Sequence, residues 1–435
     1  MEIVVLTLFT LSLLICIFFN ISILYALIIG YIIFFSYALL KKHNLLEILK
    51  MSFLGILTIK NILIVFVLIG MLTAVWRASG TIAFIVFHSS KLISPSAFLL
   101  AIFLLNCLIS LLMGTSFGTA GTMGIISMIM ANTLNINPLY SGGAILSGCF
   151  FGDRCSPMST SALLISELTR TDIYTNIKNM LKTSIIPFIA VCLLYIALGL
   201  KYKVSTVDAS ISNLLSSNFN LHWVTVIPAL LIIILSLLKI SVKYTMALSI
   251  IISSIICLKL QNLELSQLLN FLLTGYKTSN LEVNNIISGG GIASMVNVFF
   301  IVLISSSYAG IFKGTGLLDN IKEKIFKISR KLNPLKTTFL VSIVTSIVAC
   351  NQTLAIILTD QLCSDIYEDK EIFALNLENT VVTIAPLVPW SIASAAPLSA
   401  IGAPTGSIVF AFFLYLLPLW TLLYDFKFKK NKKPA

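Results

Sequence analysis

Charge is what this sequence has least of. Asp, Glu, Lys and Arg make up 11% of its 435 residues, less than half the roughly 25% of a soluble domain. That scarcity excludes a water-soluble globular fold, and no long polar stretch could form a separate soluble domain. Acidic residues are rarer still, 17 against 29 basic ones. The surplus positive charge sits in short connections and the tail, which argues against nucleic acid as a partner. Histidine occurs only as His43, His88 and His222, too dispersed for a metal site. The eight cysteines form no CxxC pair, so buried free thiols are expected in place of a redox centre. Neither GxxxxGK[ST] nor HExxH occurs. Without a catalytic constellation, the expectations are no enzyme, no cofactor and no metal beyond a transported ion.

What is present is hydrocarbon. The chain is 58% hydrophobic, and runs of about 20 apolar residues recur along it, each enough to cross a bilayer as a helix. Roughly twelve spans or half-spans are expected. Residues 3–19 read as a span and not a signal peptide, because Glu2 replaces a basic n-region and a second run, 21–40, follows at once. Lys41, Lys42, the basic stretch Ile321–Lys336 and the tail lysines Lys427–Lys433 mark cytoplasmic segments, and Asp365–Glu371 an external one. The expected location is the cytoplasmic membrane, crossed many times, with the lipid bilayer as surroundings and an oligomer left open.

One polar tract sits at membrane depth. Gly152–Ala162 reads GDRCSPMSTSA between apolar runs. An acid, a base and four hydroxyls there are costly unless they line a cavity or bind something. Backbone broken by Gly and Pro is tolerated there only where it is buried or wet. Similar tracts are Gly114–Gly124, Asn351–Thr353, and Glu378–Thr380 leading into Pro386–Ala396. Their oxygens suit a partly dehydrated monovalent cation. The candidate ion or substrate ligands are Thr115, Ser116, Thr119, Asp153, Ser156, Ser159, Thr160, Asn351, Gln352, Thr353, Glu378, Asn379 and Ser391. Asp153 and Glu378 are the candidates for proton coupling, since a carboxylate holds either H+ or Na+ and competition at one site is enough for exchange. Arg77 is a candidate anion partner, a charge-balancing group or an interfacial residue in equal measure.

The chain also repeats itself weakly. Trp76 and Tyr308, and Pro157-Met-Ser159 and Pro389-Trp-Ser391, stand 232 residues apart. Gly114–Gly124 corresponds loosely to Cys350–Thr353. Paired, interrupted spans point to a transport site between two repeats. The expected fold is an all-α polytopic membrane protein with two structural repeats and discontinuous helices. Its parts are an N-terminal hairpin and connection (1–49), a first repeat (50–200), connector spans (201–282), a second repeat (283–424) and a basic tail (425–435).

From Leu68 to Pro418 the sequence resembles the NhaC-type sodium/proton antiporter family. The resemblance is carried by Trp76–Thr81, Gly118–Gly124, Ser147–Asp153, Ser156–Ser159, Gly290–Met295, Leu377-Glu378 and Leu387–Trp390. It implies an exchanger of Na+, or a similar cation, for H+, with Asp153, Ser156, Ser159 and Glu378 at a central site. Two departures stand out, because Thr160 and Asn379 occupy positions where the family pattern has aspartate. Fewer acids favour an alternative expectation, a Na+- or H+-coupled carrier of a small organic anion or amino acid.

Overall fold

A computed structural model describes residues 2–19, 21–58, 60–89, 94–202, 209–238, 240–280, 283–284, 287–317 and 332–423. Within them the chain is helical, apart from an isolated antiparallel bridge between Tyr276 and Gly289. Apolar segments take this form because a helix satisfies its own backbone in a medium that offers no partner. Most of the basic stretch Ile321–Lys336, through residue 331, and the tail lysines Lys427–Lys433 lie outside the described residues.

Among the described residues, three helices are long and apolar enough to cross a membrane: Pro95–Met113, Ile173–Gly199 and Ile292–Phe312. Two bent pairs bring the number to five, Leu63–Ala78 with Thr81–His88 at 64° and Lys370–Leu387 with Ile392–Ile401 at 56°. The remaining apolar helices are shorter, and several meet end to end at breaks.

The N-terminal helices α1 (Glu2–Phe18), α2 (Ile23–Leu40) and α3 (Leu45–Thr58) pack on a helix of the second half, Val296–Thr315. Phe9, Phe34, Tyr308 and Phe312 fill that seam, Phe9 edge to face on Phe34 and Tyr308 and Phe34 edge to face on Phe312. In the first half, α4 (Lys60–Ala78) bends into α5 (Thr81–Ser89) at Gly80. Next come α6 (Pro95–Met113), α7 (Ser116–Thr119) and, across a π turn at Ala120–Gly124, α8 (Ile125–Thr133). α9 (Pro138–Cys155), α10 (Thr160–Thr169) and α11 (Ile173–Gly199) complete it. The connector, α12 (Ala209–Asn218) to α15 (Leu265–Thr274) by way of α13 (Ile227–Leu237) and α14 (Val242–Lys259), wraps α4. Trp76 donates its indole N–H to Ser249 of α14 at 3.0 Å. The glycine run 289–291 packs on α4 as well, Gly291 donating to the Gly70 carbonyl at 2.8 Å.

The second half repeats the broken pattern. α16 (Val296–Thr315) precedes α17 (Pro334–Ala349) and α18 (Gln352–Cys363). α19 (Lys370–Asn379), the short α20 (Val381–Ile384), α21 (Ile392–Ile401) and α22 (Phe412–Leu423) follow. α6 stops at Gly114 (φ 64°, ψ 23°) and the next helix starts from Thr115 (φ −151°, ψ 129°). α17 stops at Cys350 (φ 53°, ψ 9°) and the next starts from Asn351 (φ −147°, ψ 129°). Each left-handed stop followed by an extended residue ends one helix and aims the next in a new direction. The other pair of helices starts from Ser159 (φ −70°, ψ 133°) and Ser391 (φ −71°, ψ 140°). The breaks are shorter than the polar tracts suggested. α9 continues through Gly152–Cys155, and the first-half tract stays helical beyond Thr115.

α6 and α9 meet backbone to backbone. A Cβ on Gly152 would stand 2.1 Å from the carbonyl carbon of Ser110, and one on Gly148 would stand 2.6 Å from Asn106 Cβ. Small residues four apart permit such an approach between membrane helices. Gly152→Ala should therefore lower stability by about 1–3 kcal/mol through overpacking. Gly406→Ala, whose Cβ meets only the Leu139 side-chain end at 3.1 Å, should cost little. Thermal unfolding in detergent, run on both variants, checks this; equal melting temperatures would refute the contact's importance.

Candidate functional site

The breaks come together around a cavity of about 340 Å³. Met113–Gly118, Asp153, Met158 and Thr160 line it from the first half, and Asn351–Thr353, Ile392 and Ala393 from the second. Ile240, Ser241 and Lys243 line it from the connector. Of the residues expected from sequence, seven meet here: Thr115, Ser116, Asp153, Thr160, Asn351, Gln352 and Thr353.

Asp153 is 3% exposed, one residue beyond the Gly152 contact. Its Oδ1 accepts from the Ser116 backbone N–H at 3.3 Å, and its Oδ2 from the Ser161 hydroxyl at 3.4 Å. Gln352 faces the same carboxylate across the cavity. Both protein contacts are long for charge-assisted hydrogen bonds, so the carboxylate is held in place yet still has capacity to bind.

Three helices of ten or more residues begin on the cavity wall: α10 at Thr160, α18 at Gln352 and α21 at Ile392. Their positive dipole ends therefore lie at the wall. Ser159, Asn351 and Ser391 cap them, accepting respectively from Ser161 and Ala162, from Thr353, and from Ala393. Ser159 also donates to the Asp153 carbonyl, and Ser156 accepts from Met158 N–H at 3.2 Å. Thr119 is spent on the Thr115 carbonyl at 2.9 Å. Ser156, Ser159, Thr119 and Ser391 thus shape the breaks without lining the cavity.

Arg154 turns away from its neighbour Asp153. Fully buried, it donates to Ser184 at 2.6 Å, to Thr183 at 3.3 Å, to the Met180 carbonyl at 3.2 Å and to the side-chain oxygen of Asn379. No carboxylate lies within 4.0 Å of it among the described residues. Asn379 is therefore a partner of Arg154 and not a wall of the cavity. Glu378 is also fully buried, and neither of its oxygens has a hydrogen-bond partner. It lies within electrostatic reach of both Arg154 and Asp153.

Arg77 is outside the cavity, donating to the Thr73 carbonyl at 2.8 Å near the end of α4. The cation that does line it is Lys243, in the first turn of α14 and half-buried. Sequence reasoning passed over Lys243. A lysine beside a span's end is ordinary at an interface, and nothing local ties residue 243 to residues 153 or 352.

Comparison with known proteins follows this geometry. The profile of the Na+/H+ antiporter family matches residues 1–166 and 148–426, two stretches that overlap at the segment holding Asp153. A Na(+)/H(+) antiporter NhaC of Alkalihalophilus pseudofirmus is 27% identical over 370 residues, covering 82% of this chain and 80% of its own. A malate-2H(+)/Na(+)-lactate antiporter of Bacillus subtilis is 27% identical over 339 residues, covering 75% and 72%. An arginine/ornithine antiporter ArcD of Halobacterium salinarum is 26% identical over 373 residues, covering 82% and 77%.

The Arg154–Asn379 contact makes a stability prediction. Arg154→Leu removes the donor that Asn379, Thr183 and Ser184 surround, and should destabilise the fold by about 3 kcal/mol. Asn379→Asp would place a carboxylate against the guanidinium and should raise the melting temperature. Unfolding of the two variants in detergent tests this, and a destabilised Asn379→Asp would count against the assigned contact.

Proposed function

From a chain that belongs to the Na+/H+ antiporter family, we propose that Asp153 is the group at which Na+ and H+ compete. The protein is an integral membrane transporter exchanging the two ions. The observation that carries the site assignment is that Asp153 is the one carboxylate on the cavity wall among the described residues, placed where both broken segments meet.

Na+ stripped of part of its water asks for about five or six hard oxygens. The Asp153 carboxylate, the hydroxyls of Thr115, Ser116, Thr160 and Thr353, and the amide oxygens of Asn351 and Gln352 supply them from three directions. A proton on Asp153 removes the charge that draws Na+ in, so occupancy by one ion excludes the other. Exchange then needs only that the cavity open to each side in turn while loaded.

Glu378 serves as a second proton carrier. A buried carboxylate accepting no hydrogen bond is costly as an ion, and nearby Arg154 is the charge against which it is balanced. The matching backbone angles at Gly114 and Cys350, and at Ser159 and Ser391, support reading 50–200 and 283–424 as two repeats. On that reading the halves rock about the cavity within a multi-pass fold of the cytoplasmic membrane, with 1–49 as a flanking hairpin.

Proteoliposomes holding a pH-sensitive dye test the assignment. An imposed Na+ gradient should move protons in the unmodified protein and fail to do so in Asp153→Asn with the fold intact. The apparent KM for Na+ should rise as pH falls, by at most about tenfold per unit, because H+ competes for the same oxygens. Thr160→Asp, which adds an acid on the cavity wall, should lower that KM. Normal proton movement in Asp153→Asn would remove this residue from the mechanism.

A further inference from the structure

A second groove runs along the first half of α11, on the outside of the helix bundle. Its volume is about 560 Å³, and Leu181, Ile185, Phe188 and Ile189 of α11 line it with Phe151 of α9. Phe151 and Phe188 pack on each other in its wall, ring centroids 5.0 Å apart. The α11 residues recur at intervals of three and four and so share one face of the helix. That face is bare: Leu181, Ile185 and Ile189 are 43%, 56% and 54% exposed. α11 is long and apolar enough to cross a membrane, so in the bilayer this face meets lipid.

The same face carries charge at the depth where a phospholipid carries its own. Lys178 and Lys182 line the groove one helical turn apart, and both are exposed. Among the described residues neither ammonium has an acid within 4.0 Å. The positions three and four away from each hold Tyr174, Thr175, Asn179, Leu181, Ile185 and Ile186 besides the other lysine, and none of these is acidic. Asp172, at the helix start, is spent on the backbone N–H and hydroxyl of Thr175 at 2.8 and 3.0 Å. Two like charges at this spacing repel, and an anion from outside would relieve them. Tyr174, 70% exposed, stands one turn before Lys178, as amphipathic rings do at the headgroup level. From Lys178 to Ile189 the helix rises about 16 Å, close to half of a hydrocarbon core roughly 30 Å thick. The groove is therefore one leaflet deep, with its charge at the outer end.

We propose that this groove binds an anionic phospholipid, its phosphate between Lys178 and Lys182 and one acyl chain laid over Leu181, Ile185 and Ile189. The long lysine stems reach back to the interface to meet the headgroup. Beneath the chain lies Ser184, which is 2% exposed, lines the groove and accepts from Arg154 at 2.6 Å. The bound lipid covers the polar network that Arg154 forms with Ser184, Thr183 and Asn379, and braces α11 against α9. A second copy of the chain is the poorer occupant, since a two-fold contact puts the same patch on both sides and would set the two lysine pairs against each other.

Full-length protein, stripped of lipid in detergent, tests this by native mass spectrometry and thermal unfolding. Phosphatidylglycerol should bind saturably and raise the melting temperature, while phosphatidylcholine with the same chains should do neither. Lys178→Gln with Lys182→Gln should weaken phosphatidylglycerol binding about thirtyfold, the combined loss of two lysines that each attract an anionic headgroup. Lys50→Gln with Lys259→Gln removes the same charge from exposed positions elsewhere and should leave binding unchanged. Ile185→Trp fills the groove without altering charge and should also weaken binding, a reading that stands if the Lys178 and Lys182 variant fails to fold. Equal binding of phosphatidylcholine would overturn the inference by showing an unselective apolar surface. An equal loss in the Lys50 and Lys259 variant would overturn it in favour of diffuse attraction. Glycerol 3-phosphate raising the melting temperature as far as the lipid does would reduce the site to a headgroup contact and overturn it too. A dimer that dissociates in the Lys178 and Lys182 variant, with lipid binding unchanged, would give the face to a second copy.

Discussion

At Gly152 the backbone of α9 rests directly on the backbone of α6 at Ser110 and Leu111, three residues before the left-handed stop at Gly114. Because no side chain separates the helices, the next residue along α9, Asp153, arrives beside the N–H of Ser116 just past that stop. A wider spacing would set the carboxylate back from the break and leave the Ser116 amide without its partner, a cost the membrane interior does not forgive. The Ser110 hydroxyl fastens the same contact by donating to the Cys149 carbonyl. Position of the acid, satisfaction of the broken backbone and the shape of the cavity all descend from one close helix crossing.

The two neighbours Asp153 and Arg154 show how a helix separates opposite charges. Successive residues point about 100° apart around the axis, so Asp153 looks into the cavity while Arg154 looks toward α11 and α19. There the guanidinium is surrounded by hydroxyls, a carbonyl and an amide oxygen in place of an acid. Neutral acceptors take the hydrogen bonds of its two terminal nitrogens without cancelling its charge, while its Nε has no partner. That leaves its field acting on Glu378. An aspartate at 379 would cancel the charge on the spot.

Much of this was legible in the sequence. Polar, Gly- and Pro-bearing tracts inside apolar runs gave away the breaks, and the acid of the Gly152–Ala162 tract, Asp153, lies on the cavity wall. The helical class followed from hydrophobicity alone. Residue chemistry misled where local geometry decides: Ser156, Ser159 and Ser391 carry hydroxyls suited to an ion, yet they are consumed by caps and turns. Arg77 offered the right charge for an anion, but its helix carries it out of the cavity's reach and it bonds to its own turn at Thr73. Asn379 sat in the right motif and faces the wrong way, because the helix turn that follows Glu378 aims it at Arg154. Lys243 was out of reach of any pattern, since its place on the wall depends on how the connector folds back over α4.

That fold-back has a consequence for how such a protein diversifies. The helix breaks come in pairs of like backbone angles, at Gly114 and Cys350 and at Ser159 and Ser391. α14 belongs to neither half, and Lys243 has no twin. A substitution at Ser241 or Lys243 would change the cavity wall while leaving the residues at the breaks as they are. A chain built on this plan can vary one stretch of its cavity wall while the residues that set its breaks stay fixed.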